Sequence, residues 1–245
     1  MTAPLLRRVA DEPALARAAA HEIFRHASEA VRARGAFTLA LTGGTTPRVL
    51  YRLLADASWR ARMPWDRTHV FFGDERCVPP DHPDSNFGMA RDALLAHVAP
   101  ASVHRLEGER EPSDAAARAE ADLRETFGDA GLPRLDLVLL GLGADAHVAS
   151  LFPGHPALDE RQRWVVAPFV PHLGAHRITM TLPVLNAASA VLFLVAGRRK
   201  ADALARMLSP PPGEEPPPAA RVRPAQGELV ILADEEACGV RAGGT

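Results

Sequence analysis

Short apolar runs of strand length alternate with amphipathic segments along this chain, and that alternation limits its fold more than any other feature. Phe37–Leu41, Thr68–Phe72, Leu135–Leu140, Ala190–Ala196 and Glu228–Ala233 read as strands, with weaker signals at Trp164–Ala167 and Ile178–Thr181. Between them, Ala14–Arg34, Asn86–His97, Ser113–Phe127 and Arg199–Leu208 read as helices, and a short helix is expected behind the last strand. Thr46 and Pro47 open another, with Thr46 as N-cap, Pro47 in the first helical position and Leu50, Leu53 and Leu54 on its buried face. Strands separated by helices cannot pair as hairpins. They imply a largely parallel sheet covered on both faces, an α/β architecture of three layers.

The 245 residues fit one such domain, spanning 1–245, with a Rossmann-like sheet flanked by helices. Composition breaks only at 209–224, which is too proline-rich for helix or central strand and reads as an exposed surface loop. Too little chain follows it to make a second domain. The net charge of −2 gives no general attraction to nucleic acid or anionic lipid, so neither is expected as a partner. Cys77 and Cys238 are the only cysteines and lie far apart, which fits a reducing compartment. Arg7 and Arg8 are followed by Asp11, Glu12 and Pro13 instead of an apolar leader, and no apolar run is long enough to span a bilayer. A cytoplasmic location is therefore the default expectation. Oligomeric state is left open, with a monomer compatible.

Three loops at predicted strand ends carry chemistry-bearing residues. In Leu41–Pro47 (LTGGTTP), Gly43 and Gly44 allow close backbone approach. Thr45 offers a hydroxyl, and the N-terminus of the following helix favours an anion such as phosphate. The same residues also make an ordinary tight turn with a threonine cap. In Gly73–Arg76 (GDER), Asp74 can orient a hydroxyl or move a proton and Arg76 can hold an anion; taken alone, the segment reads as a solvated, self-paired charge cluster.

The third loop, Gly141–His147, places Asp145 and His147 two residues apart beyond a strand, where ligands of open α/β sheets bind. An imidazole there has the proton affinity for acid–base work. Gly141, Gly143 and Ala146 also fit a dinucleotide fingerprint, but Pro153, Gly154 and Pro156 stop the long helix that fingerprint must open. No third ligand accompanies Asp145 and His147 at metal-site spacing, so neither a metal nor another cofactor is expected. Arg177 precedes a strand-like run, and Lys200 follows the strand Ala190–Ala196. A parallel sheet would gather Thr42–Thr46, Asp74–Arg76, His147 and Lys200 at one edge.

The segments LTGGTTP, FFGDERCVPPDHPDSNFGM, LDLVLLGLGADAHVASLFPG, RITMTLPVLNAA and LVAGRRKADAL, in that order, resemble the 6-phosphogluconolactonase family. The resemblance implies an α/β fold related to glucosamine-6-phosphate deaminase. It also implies hydrolysis of a phosphorylated sugar lactone, 6-phosphoglucono-δ-lactone, in the oxidative pentose phosphate pathway. By position, it makes His147 the catalytic histidine, with Asp145 and Asp74 beside it. Gly43, Gly44 and Thr45 become the phosphate-side loop, Arg76 a wall of the site, and Arg177 and Lys200 basic substrate contacts. The deaminase alternative carries a glutamate five residues after the histidine, where this chain has Phe152. The family usually reads Asp-Gly-His where this chain reads Asp145-Ala146-His147, a change that also keeps a non-catalytic sugar-phosphate sensor as an alternative. A glycine there with positive φ would leave Ala146 strained; with negative φ the exchange is harmless.

Overall fold

The protein is described by a computed structural model covering residues 4–240. Its strands are β1 (Leu5–Val9), β2 (Phe37–Leu41), β3 (Thr68–Phe72), β4 (Asp74–Arg76), β5 (Ser102–Val103), β6 (Leu137–Gly141), β7 (Val165–Val166), β8 (Phe169–Val170), β9 (Ala175–Met180), β10 (Ala190–Val195) and β11 (Glu228–Asp234). Its helices are α1 (Glu12–Arg34), α2 (Thr45–Ala55), α3 (Ala57–Arg62), α4 (Asn86–Ala90), α5 (Pro112–Phe127), α6 (Leu182–Ala187) and α7 (Ala201–Leu208).

Seven strands form one wholly parallel sheet in the order β1-β11-β10-β6-β2-β3-β5. Every residue of β10 is buried, as are all but one in each of β2, β3, β6 and β11. That is what sequence runs such as AVLFLV and LVLLG require when helices cover both faces. Charge is tolerated only at the margin. The edge strand β1 (LLRRV) is mostly exposed, and its arginines blunt an edge that would otherwise invite further pairing.

The chain leaves β2 outward to β3 and β5, then returns to the other side of β2 as β6 before running out to β10 and β11. The strand order therefore reverses between β2 and β6. Only two residue pairs join these strands, Leu39 with Leu137 and Ala40 with Val138, so they part beyond that point and open a crevice at their carboxyl ends.

Several expectations need correction. Trp164–Ala167 and Ile178–Thr181 do not join the parallel sheet; as β7 and β9 they form a small antiparallel sheet with β4, and β8 pairs with β9. Gly73 is the junction between the sheets, donating to Leu41 O (2.9 Å) and accepting from Met180 N (2.9 Å). Asn86–His97 is a short α-helix followed by a wider π turn at Arg91–Leu95. Among the described residues no helix follows β11, where Cys238 N to Asp234 O (3.0 Å) and Gly239 N to Glu236 O (3.1 Å) close turns instead. The proline-rich stretch is exposed only at its first part. Residues 217–220 and Val222 are buried, and Pro218–Arg221 forms a 3-10 turn. No described helix is long and apolar enough to cross a membrane.

Candidate active site

The crevice between β2 and β6 holds a cavity of about 270 Å³ whose walls include Gly43, Gly44, Asp74, Arg76, His147 and Lys200. Four separate strand ends thus deliver their residues to one place, as a parallel sheet with a reversal at its centre dictates.

The glycine loop is set by α2. Tyr51 is fully buried on that helix, and its hydroxyl donates to Thr42 O (2.8 Å) while accepting from Thr42 N (2.9 Å). Burial pushes the Tyr51 hydroxyl well above the ordinary phenol range, so it remains a neutral clamp. The expected Thr46 cap is not used. Gly44, with φ 114°, is the N-cap, α2 begins at Thr45, and the Thr46 hydroxyl donates to Glu12 Oε1 (2.9 Å). A capping side chain cannot come from glycine, so the first amides of α2 keep their attraction for an external anion. Thr45 itself lines a neighbouring cavity with Asp11, Glu12 and Asp234.

Asp74 and Glu75 are not a solvated charge cluster; both are buried. Glu75 turns away from the cavity and anchors the following loop, accepting from the amides of Arg76 (2.7 Å), Asn86 (2.7 Å) and Phe87 (2.8 Å) and the Ser85 hydroxyl (3.0 Å). Burial outweighs these bonds and raises its carboxyl above the usual value. Asp74 faces the cavity, accepting from Ser150 Oγ (2.7 Å) and Asn86 Nδ2 (3.3 Å). Asn86 is a site residue that sequence reasoning used only to open a helix. Its side chain fills the space a Gly43 Cβ would need, 1.7 Å from Oδ1, so Gly43 must be glycine for Asn86 to reach Asp74. The only available signal was Ser85-Asn86 following Pro79, Pro80 and Pro83.

The third loop is wound tightly around its histidine. Gly143 N donates to His147 O (2.9 Å), and Ala146 N donates to Gly143 O (3.0 Å). Asp145 Oδ1 accepts from His147 N (3.1 Å) and lies 2.6 Å from His147 Nδ1. A carboxylate can only accept, so Nδ1 carries the proton and Nε2 of the neutral ring is the free acceptor. Burial opposes ionisation of Asp145, but the charge and hydrogen bonds of His147 prevail and hold its carboxyl below the usual range. Phe152 packs on the imidazole with ring centroids 4.5 Å apart. No helix opens at Gly143, so the loop lacks the crossover helix that a dinucleotide fingerprint starts.

Ala146 has φ 66° and is fully buried. The residue where the family usually has glycine is therefore in the left-handed region. Relieving that strain with glycine gains about 1–2 kcal/mol, but the buried methyl (about 0.8 kcal/mol) and the extra freedom of unfolded glycine (about 0.4–1 kcal/mol) offset it. Ala146→Gly should therefore change stability by less than about 1 kcal/mol in urea unfolding. Ala146→Val, β-branched and overpacked, should cost roughly 3 kcal/mol. Equal stability of the two variants would contradict this backbone assignment.

Among the described residues Arg76, Arg177 and Lys200 make no salt bridge. Arg177 lies within β9 directly opposite Arg76, beside the cavity but not on its wall. Burial first, and then Arg76, lower its guanidinium from the ordinary value. Burial and Arg199 likewise lower the Lys200 ammonium, with Asp145 opposing them. Cations without a salt-bridge partner beside one cavity suit an anionic ligand.

The chain matches the family model described as glucosamine-6-phosphate isomerases/6-phosphogluconolactonase over residues 10–231. The chain belongs to this family. It is 43% identical to 6-phosphogluconolactonase of Nostoc sp. over 232 residues, covering 93% of this chain and 94% of that one. It is 35% identical to the Haemophilus influenzae enzyme of the same name over 201 residues, or 81% and 85% of the two chains. The solved 6-phosphogluconolactonase from Trypanosoma cruzi superposes with a TM-score of 0.85 at 28% identity, covering 98% and 97%. A monomeric glucosamine-6-phosphate deaminase shares the fold at a TM-score of 0.80 but only 20% identity, with 97% and 100% covered.

Proposed function

We propose that this chain opens 6-phosphoglucono-δ-lactone to 6-phosphogluconate, a step of the oxidative pentose phosphate pathway, at the cavity between β2 and β6. The observation that carries the reading is one cavity bordered by both an oriented imidazole and an unpaired lysine. The phosphate is held by Lys200 and the uncapped start of α2, with Gly43 and Gly44 allowing it close. His147 Nε2 takes a proton from water as the water oxygen bonds to the lactone carbonyl carbon. The carbonyl pair moves onto oxygen, and collapse breaks the ring C–O bond as the imidazolium returns its proton to the leaving ring oxygen. Asp145 stabilises the imidazolium formed meanwhile, and Arg76 supplies positive charge on the cavity wall. A lactone needs neither a covalent nucleophile nor an external activator. Ser150, the hydroxyl nearest in sequence, is buried and committed to Asp74. Thr45 and Arg177 frame the phosphate end from just outside the cavity. We further propose that residues 1–245 act as one domain.

The deaminase reading is disfavoured by Phe152, which packs against His147 where that chemistry places a glutamate. The test is turnover of freshly generated 6-phosphoglucono-δ-lactone above the spontaneous rate, with no ammonia released from glucosamine 6-phosphate. Tight binding of 6-phosphogluconate without turnover would instead make the protein a sensor.

Lys200→Ala should raise KM for the phosphorylated lactone roughly 10- to 100-fold, the loss of about 1.5–3 kcal/mol from one charge-assisted contact. Turnover of unphosphorylated gluconolactone should be spared. Because the free Lys200 ammonium is lowered, it deprotonates earlier than an ordinary lysine as pH rises. Calorimetric affinity for 6-phosphogluconate should therefore fall on the alkaline side in wild type, and this limb should vanish in Lys200→Ala. Equal losses on both lactones would contradict the phosphate role.

A further inference from the structure

A second hydroxyl–imidazole–carboxylate series lies outside the lactone cavity, at the β5 edge of the central sheet. His104 Nδ1 is 2.8 Å from both carboxylate oxygens of Asp122, and His104 Nε2 is 2.6 Å from Ser102 Oγ. His69 Nδ1 approaches the same Oγ at 2.7 Å. The carboxylate can only accept, which with a neutral His104 ring fixes the protons in the series. His104 carries hydrogen on Nδ1, its bare Nε2 accepts from the Ser102 hydroxyl, and the Ser102 oxygen accepts from His69 Nδ1. The ring of His104 is held flat on Phe71, with centroids 4.3 Å apart and planes 8° from parallel. A nucleophile, a base aimed at its proton and a carboxylate fixing the base's tautomer are the parts of an activated serine, recognised by geometry and not by sequence order.

His104 and Asp122 line a cavity of about 660 Å³, together with apolar Phe87, Leu95, Val103 and Ala119 and charged Arg105 and Arg118. That is a volume suited to a small organic ligand. Ser102 is partly exposed; it does not itself line this cavity, and its Oγ reaches the cavity edge through its contact with His104, which does. None of these lining residues borders the lactone cavity.

We propose that Ser102 is a second nucleophilic centre, acting on short-chain acyl esters with good leaving groups. Oγ bonds to the acyl carbon as His104 Nε2 takes its proton and the carbonyl pair moves onto oxygen. Collapse expels the phenolate, which receives the proton from His104. Water then releases the acid by the same steps. The restriction to activated esters follows from the backbone. His104 N is spent on Val70 O (2.8 Å), and Ala101 N on the carbonyls of Trp65 (3.0 Å) and Thr68 (2.9 Å), so these amides build no oxyanion cradle. A missing cradle donor commonly costs about 10²–10³ in rate, which an aryl leaving group offsets.

The proposal is independent of the lactonase reading, and its test separates the two. A fluorophosphonate probe should form one adduct on the unmodified chain, mapped by peptide mass spectrometry to Ser102. Hydrolysis of p-nitrophenyl acetate should fall at least tenfold in Ser102→Ala and in Asp122→Asn, persist in His147→Ala, and leave lactone turnover untouched in the first two. The adduct is read on wild type, so a poorly folding variant does not blunt the test. No adduct on Ser102, ester hydrolysis undiminished in Ser102→Ala, or ester hydrolysis lost in His147→Ala would each overturn it.

Discussion

His147→Ala should reduce lactone turnover by about 10²–10⁴, to near the spontaneous rate, while leaving the protein folded. The size follows from what the side chain does. With Nδ1 committed to Asp145, only Nε2 faces the cavity as a base, and no other described imidazole borders that cavity. The fold survives because the His147 side chain is about one-third exposed (32%), and the loop is closed by backbone bonds that alanine retains. Phosphate binding should also survive, since Lys200 and the start of α2 are untouched. The measurement is proton release in weak buffer from fresh lactone, with the uncatalysed rate subtracted, alongside calorimetry with 6-phosphogluconate. Near-wild-type turnover would remove His147 from the mechanism.

Gly143→Ala is expected to be nearly as damaging without touching a reacting group. A Cβ at position 143 would stand 2.1 Å from His147 Nδ1, 2.4 Å from its Cε1 and 2.6 Å from Asp145 Oδ1. Atoms cannot coexist at those separations, and the obstructing atoms are side chains, so the dyad yields before the backbone does. Displacing a catalytic group by about 1 Å can cost on the order of 100-fold, and kcat should fall by at least that much with KM little changed. Gly141→Ala is the control. An added Cβ there meets no protein atom within 4 Å, so the dyad stays in place; because Gly141 lines the cavity, any loss should appear in KM while kcat stays near wild type. Similar losses in both variants would mean that the loop, not the imidazole, is what the methyl disturbs.

Much of this arrangement is legible in the sequence because burial writes itself into composition. AVLFLV and FTLAL can only be strands covered on both faces, and a parallel order then forces the loops after them to one rim. That argument brings Gly43, Gly44, Asp74, Arg76, His147 and Lys200 together, and they do meet. The small antiparallel sheet was not legible. Asp74–Arg76 is three residues of charge, and β7 is only two residues long, too short for any periodicity. The cap of α2 was misplaced by two residues because Thr46-Pro47 is a sound start signal, overridden by Gly44 taking a φ that threonine would resist. Asn86 went unnoticed since its importance lies in one contact with Gly43, across the molecule.

Residues 211–216 and 217–222 differ in a way that bears on how this region can vary. The first are exposed or nearly so; within the second, the Ala219 amide donates to Ala146 O at 3.1 Å, bracing the backbone immediately before His147. Insertions or deletions before Pro217 change only the length of a surface excursion. One residue added just after it slides that amide off its carbonyl, so chain length there is fixed by the backbone of a distant loop.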